Sequence, residues 1–154
     1  MKILTLRKFL IYTCITSIVV YTFSCNGTTN PNQTASVKFD QYFVRGQQLY
    51  GTHCSNCHQK TGTGLGRVYP PLNKSDFVDK SPDKVLCVIK NGIAGELIVN
   101  GKVYNQAMKS PGLTDIEIAE IATYIYNSWG REKGIIEVLE VSKVVMKCDS
   151  AGIK

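Results

Sequence analysis

Histidine is scarce in this chain: there are two in 154 residues, His53 and His58, and they sit almost side by side. Of six cysteines only Cys54 and Cys57 are closely spaced. A structural zinc site needs four ligands, and no second Cys pair or distant His pair is present to complete one. No basic run interleaved with aromatics occurs, which argues against nucleic acid as a partner. No nucleophile paired with a base and no vacant metal position stands out, so a catalytic role of its own is not indicated. Long apolar runs are also missing. The longest stretch, Phe9 to Phe23, is broken by Thr and Ser and is short for a spanning helix, which needs about 20 apolar residues.

Charge is mild once the first residues are set aside. The net charge is +6, and Lys2, Arg7 and Lys8, with no acid among residues 1–24, supply half of it. A basic start followed by the Phe9–Phe23 stretch reads as a secretory signal. It closes in Thr22-Phe23-Ser24-Cys25 and opens into Asn26-Gly27-Thr28-Thr29-Asn30-Pro31-Asn32-Gln33-Thr34. A small residue, then Cys, then a polar tether resembles the signal of bacterial lipoproteins, with Thr22 where these usually carry Leu. The resemblance implies that Cys25 is the lipidated first residue of the mature chain, anchoring it to a membrane on the periplasmic side of the bacterial cell envelope. Ordinary cleavage to a soluble protein and an uncleaved anchor are the alternatives. The chain then divides into a signal (1–24), a lipidated polar tether (25–38), one domain (39–130) and a C-terminal extension (131–154) expected to pack on it.

What is present is Cys54-Ser55-Asn56-Cys57-His58. Two thiols three positions apart, with an imidazole directly after the second, form the attachment pattern of a c-type haem. Each thiol can add to one porphyrin vinyl group, and the short spacing lets His58 turn back under the ring to bind iron. A thioredoxin-like redox pair would need a βαβ pattern, and none surrounds residues 54–58. One covalent haem c as cofactor implies a redox protein outside the cytoplasm.

Local patterning points to a mainly helical domain. A helix is predicted from near Asp40, a candidate N-cap, with Phe43, Gly46, Gln47 and Tyr50 on one face, running into Cys54. Thr61-Gly62-Thr63-Gly64-Leu65-Gly66 and Tyr69-Pro70-Pro71-Leu72 mark irregular backbone, read as a loop folded against a porphyrin edge. No strand precedes the Gly run and no helix with a lysine follows in register, which argues against a phosphate-binding loop. Ser81-Pro82-Asp83 starts a helix that Asn91-Gly92 stops. Leu97 to Tyr104 reads as a hairpin turning at Asn100-Gly101. Thr114-Asp115-Ile116-Glu117 is a capping box opening a helix striped by Ile118, Ile121, Ala122, Ile125 and Trp129 and ended by Gly130. Ile135 to Met146 is a last helix or an extended strap, with helix preferred.

Iron held by His58 on one side takes a sixth ligand on the other. His53 lies on the near side of the ring, and a Cys87 thiolate suits oxygen activation rather than transfer. That leaves Met108 and Met146 once the signal is removed. Met108, in a loop just before a capped helix, is the candidate; its alternative role is a flexible filler of the core. A neutral, soft thioether opposite imidazole raises the potential, as in electron-carrying cytochromes.

From about Asp40 to Trp129 the chain resembles class I cytochrome c domains, in particular small single-haem bacterial ones. The residues that carry the likeness are Cys54 to His58, Gly62 to Gly66, Tyr69 to Leu72, Asn100 to Tyr104, Met108, and Leu113 to Ile125. The resemblance implies an all-α fold of four to five helices around the haem, with a small hairpin before the Met108 loop. It implies a first helix crossing the last, with Gly46 and Tyr50 meeting Ile121 and Tyr124. It further implies that the Pro70 carbonyl accepts the His58 N–H and that Leu72 packs on the ring. Trp129 would cap the core or reach a haem propionate. Cys87 and Cys148 then remain without a role, and an even remainder of cysteines in an exported protein suggests a disulfide, two separate thiols being the alternative. The implied function is one-electron transfer by a monomeric, tethered carrier through transient contacts with redox partner proteins, with Lys60 and Lys109 as docking candidates or plain solvated lysines. A haem-based ligand binder or sensor, and an electron-transfer subunit of a larger oxidoreductase, are the alternatives.

Overall fold

In the computed structural model, residues 31–148 are described; the predicted signal, Cys25 and the first part of the tether lie outside them. The chain enters through α1 (Pro31–His53), then a single turn α2 (Ser55–His58), α3 (Asp76–Lys80) and α4 (Pro82–Asn91). Four short strands follow: β1 (Gly92–Ile93), β2 (Leu97–Val99), β3 (Lys102–Tyr104) and β4 (Met108–Lys109). Helices α5 (Asp115–Tyr126) and α6 (Val138–Val145) complete the order. From Ala35 onward the chain forms one compact unit.

The entry helix corrects two expectations. Residues 31–38, taken as polar tether, are helical, and Asp40 lies inside α1 rather than at its start. Pro31 is preset for a first helical turn, and Thr34 to Lys38 are exposed, so no apolar stripe marks this part of the helix. Lys38 reaches across to the Glu137 carboxylate at 2.7 Å. Both side chains are solvated, so the pair adds little to stability. Gln47 is exposed, and Leu49 takes its place on the buried face.

Helix α1 crosses α5 at Gly46. A Cβ built there would fall on the carbonyl oxygen of Glu120 and reach 3.0 Å from Tyr124 Cβ. The rings of Phe43 and Tyr50 close on Tyr124 from either side of that crossing, at 5.3 and 5.2 Å between centroids. Ile121 is fully buried beneath them. Gly46→Ala is therefore expected to cost about 1–3 kcal/mol, because a backbone carbonyl cannot move aside as a side-chain tip can. Gly51, on the same helix with open space around it, is the control: there Ala should gain about 0.5–1 kcal/mol through backbone entropy. Urea titrations of the two variants check this, and shifts of the same sign would remove the crossing from the account.

Helix α5 is the centre of the core, with Ile118, Ala119, Ile121, Ala122 and Thr123 wholly buried. The Glu117 carboxylate accepts both the backbone N–H and the hydroxyl of Thr114, at 2.9 and 2.8 Å, which fixes the start of the helix. Its end differs from expectation. The helix stops at Tyr126 and is capped by Asn127, whose amide bridges the carbonyls of Thr123 and Gly134 at 2.7 Å each. Trp129 is thus off the helical stripe. It stands edge-on to Tyr50 and Tyr124, at 5.7 and 5.9 Å, and lies against Gly62, the first of its two expected roles.

After Trp129 the chain returns over the domain. Ile136 N–H donates to the Thr123 hydroxyl at 3.0 Å, and α6 packs on α4 and α5 through fully buried Val141. Residues 135–137 are outside any helix and Glu137 is extended, so the last segment is a short strap leading into a helix. Cys87 on α4 and Cys148 beyond α6 form a disulfide with Cα atoms 5.6 Å apart. Ser81 precedes α4 with Pro82 at the first helical position, but its hydroxyl makes no cap bond. Six helices appear among the described residues, two of them with five residues or fewer. The unforeseen α3 starts at Ser75, whose buried hydroxyl accepts the Val78 N–H at 3.3 Å.

Candidate functional site

The turn α2 begins where α1 ends. His58 N–H donates to the Cys54 carbonyl at 2.9 Å, and Cys57 N–H to the same oxygen at 3.2 Å. Side chains three and four positions apart on a helical turn share a face. Cys54, Cys57 and His58 consequently line one wall of a single cavity of about 420 Å³, within the range of about 300–1,000 Å³ for ligand clefts. Both thiols are free. Burial pushes the Cys54 thiol up to about 12, with the neighbouring Cys57 adding to the rise. The Tyr69 phenol, also on the cavity wall, is raised by its hydrogen bond with the Cys57 thiol.

His58 is buried, and its Nδ1 lies 2.9 Å from the Pro70 carbonyl oxygen. A carbonyl only accepts, so Nδ1 carries the proton and Nε2 keeps its lone pair. Burial lowers the pKa of this imidazole, and the bond to Pro70 offsets part of the fall. The ring is therefore held neutral and in one tautomer, the form a metal ligand needs.

The loop that supplies Pro70 is built by close approach. A Cβ on Gly64 would fall on the Tyr69 carbonyl oxygen, and one on Gly62 would meet the Trp129 indole at 2.7 Å. The Gly-rich run expected to face a porphyrin edge instead supports the backbone that holds His58, and none of Gly62 to Gly66 lines the cavity. Gly62 O also accepts the N–H groups of Leu72 and Asn73 at 2.8 Å, which fixes Leu72 in the wall.

The remaining wall is mostly apolar. Phe77 and Val78 come from α3, Val85, Val88 and Ile89 from α4, Ile125 from α5, and Leu97, Val99 and Tyr104 from the hairpin. The hairpin pairs as expected, Leu97 with Tyr104 and Val99 with Lys102. Asn100 and Gly101, both at positive φ, form its turn. Sequence reasoning named only Leu72 as a packing residue. The α3 contacts were missed because α3 is five residues long and too short for periodicity; the Ser75-Asp76 start was the available signal.

Met108 lines the same cavity, while Met146 is 78% exposed and does not. Met108 lies in β4, paired with Ile93, rather than in a free loop. His53 also touches the cavity rim, whereas Cys87 is taken up by its disulfide. Lys109 borders the cavity and Lys60 does not. Among the described residues no group of three or more His, Cys, Asp or Glu side chains converges as a metal-ion site. Two free thiols, a neutral imidazole with Nε2 available and a thioether, set in a mostly apolar cavity, fit a covalently held haem better than any ligand that would need polar walls.

The family match and the relatives of this chain agree with this chemistry. Residues 43–125, more than half of the chain, match the family described as cytochrome c oxidase, cbb3-type, subunit III. Cytochrome c-552 of Thermus thermophilus is 32% identical over 95 residues, covering 58% of this chain and 72% of that protein. The cytochrome c subunit of a quinone alcohol dehydrogenase from Gluconacetobacter polyoxogenes is 28% identical over 107 residues, and that from Gluconobacter oxydans 27% over 105. The chain spans only 22% and 21% of the length of those two subunits.

Proposed function

Because the chain belongs to the cytochrome c oxidase, cbb3-type, subunit III family, with haem c as its cofactor and the all-α cytochrome c fold, we propose that Cys54, Cys57, His58 and Met108 equip it as a His/Met-ligated electron carrier. Haem-based electron transfer is common ground with its cytochrome relatives. The haem supplies one-electron cycling of its iron. In this reading Cys54 and Cys57 would hold the haem through two thioether links, and His58 Nε2 and the Met108 sulfur would ligate its iron. The mostly apolar wall would limit water around the ring, and low polarity there would favour the less charged, reduced state.

The observation that carries the reading is the convergence of both free thiols, the Pro70-oriented imidazole and Met108 on one apolar cavity. The rest of the proposal is a monomeric carrier, not an enzyme in its own right. It would be held through Cys25 in the bacterial cell envelope and pass electrons in brief contacts with partner proteins. Among the described residues no helix is long and apolar enough to cross a membrane.

One preparation of the full chain, matured in an exporting host, tests this. It should sediment with membranes, give the pyridine haemochrome spectrum of a doubly thioether-linked haem, and keep its colour through acidified acetone. The ferric form should show the weak absorption at the red edge of the visible band that marks iron–sulfur ligation. Loss of pigment to the solvent would refute the attachment. A coloured protein without the red-edge band would refute Met108, and recovery in the soluble fraction would refute the tether. An electron-transfer subunit of a larger oxidoreductase is a second reading, favoured by the alcohol dehydrogenase cytochrome subunits among the relatives.

A further inference from the structure

The segment that bears Met108 is fastened to the end of α4 at two points. The first is the β1–β4 ladder, in which Gly92 pairs with Lys109 and Ile93 with Met108. Gly92 is also the C-cap of α4, at φ 76°. A Cβ there would fall on the Met108 carbonyl oxygen and lie 2.8 Å from the Ser110 nitrogen. Only glycine lets the helix end and the Met108 backbone approach so closely in that conformation. The second point is Ser110, whose hydroxyl donates to the Lys90 carbonyl at 2.6 Å. That carbonyl is in the last turn of α4, where helix geometry leaves acceptors without an N–H.

Lys90 holds the following stretch as well. Its ammonium donates to the Leu113 carbonyl at 3.2 Å and to Asp115 Oδ1 at 2.9 Å. The chain from Met108 to the start of α5 is thus pinned to one residue, by the backbone at Ser110 and by the side chain at Leu113 and Asp115.

From this geometry we infer that Ser110 is a positioning residue for Met108, setting how readily an outside ligand displaces its sulfur. The inference rests on Met108 being the sixth ligand. A methionine side chain has three rotatable bonds, so the site is occupied only as well as the backbone beneath it is held. A two-residue ladder is a weak hold alone. Ser110 adds a second attachment two residues on, where loosening would let β4 lift from β1 and carry the sulfur with it. An outside ligand competes with the tethered sulfur, so any loss in the sulfur's occupancy appears as an equal gain for the competitor.

Imidazole titration of the ferric holoprotein, followed through the red-edge band, measures that competition. Ser110→Ala should bind imidazole roughly two- to tenfold more tightly than the wild type, the worth of its hydrogen bond to Lys90, the second bond of the hydroxyl, from the Gly112 N–H, being local to the loop beyond it. Ser110→Thr, which keeps the hydroxyl, should titrate as the wild type does. Gly92→Ala should move the titration further in the same direction; if it fails to fold, the Ser110 pair decides alone. A Ser110→Ala protein that melts earlier but binds imidazole with unchanged affinity would reduce Ser110 to a structural residue and overturn the inference. A wild type lacking the band would instead defeat the ligand assignment, and the inference with it.

Discussion

Breaking the Cys87–Cys148 bridge is expected to cost about 4 kcal/mol of stability. The bridge closes a loop across a sequence separation of 61 residues, and the chain-entropy relation gives about 4 kcal/mol for a loop of that length. The packing it secures is modest: of the eight residues of α6, Val141 is buried and Val138, Val144 and Val145 pack partly buried against the core. Ser142 adds one hydrogen bond to Asp115, at 2.8 Å, and Lys38 an exposed ion pair to Glu137. Neither is large enough to hold α6 once the cross-link is gone. A Cys87→Ala, Cys148→Ala protein should melt on the order of 15 °C lower, yet keep its haem spectrum, because neither cysteine lines the cavity. A melting point within a degree or two of the wild type would show that α6 is held by its packing alone.

Met108→Ala is expected to lower the reduction potential by on the order of 0.1 V and to abolish the iron–sulfur band. A ligand changes the potential by the ratio of its affinities for reduced and oxidised iron. At about 59 mV per decade for one electron, a thioether that prefers the ferrous state roughly 100-fold contributes about 0.12 V. That is a modest part of the span of about 0.8 V which axial ligands command. Alanine leaves the position to water or an added anion, which favour the ferric state. Redox titration checks the shift. An unchanged potential with an unchanged spectrum would take Met108 out of the ligand set, and Met146, at 78% exposure on the far end of α6, offers no replacement.

The two expected results have different origins. The Met108 effect follows from a side chain whose chemistry was readable before any fold was known. The disulfide effect depends on two segments whose meeting is a matter of distance. Cys87 and Cys148 were suggested as partners because nothing else used them, and only the approach of α6 to α4 makes the bond possible.

Features governed by neighbours in the chain were legible. The Cys54–His58 spacing makes a shared face on a single turn, Thr114 and Glu117 bond across three positions, and Asn100-Gly101 tolerates the positive φ of a tight hairpin. Gly92 as the stop of α4 belongs with them. In each case the interaction closes within about one helical turn or one two-residue loop, so the residues alone state it.

Features set by distant partners were not. The exposed start of α1 has no stripe to read, Trp129 leaves the helical register to cover Gly62 and Tyr50, and the glycine run serves the Pro70 backbone instead of the cavity. The apolar wall of α3 and α4, and Ser110 hooked to Lys90, join residues 20 or more positions apart. The amino-acid order by itself determined which groups we propose to attach a haem and ligate its iron, since that proposal depends on covalent spacing and donor chemistry. The tertiary structure alone decided what surrounds those groups and how firmly Met108 is held, because packing and hydrogen bonds across the fold follow from which surfaces meet.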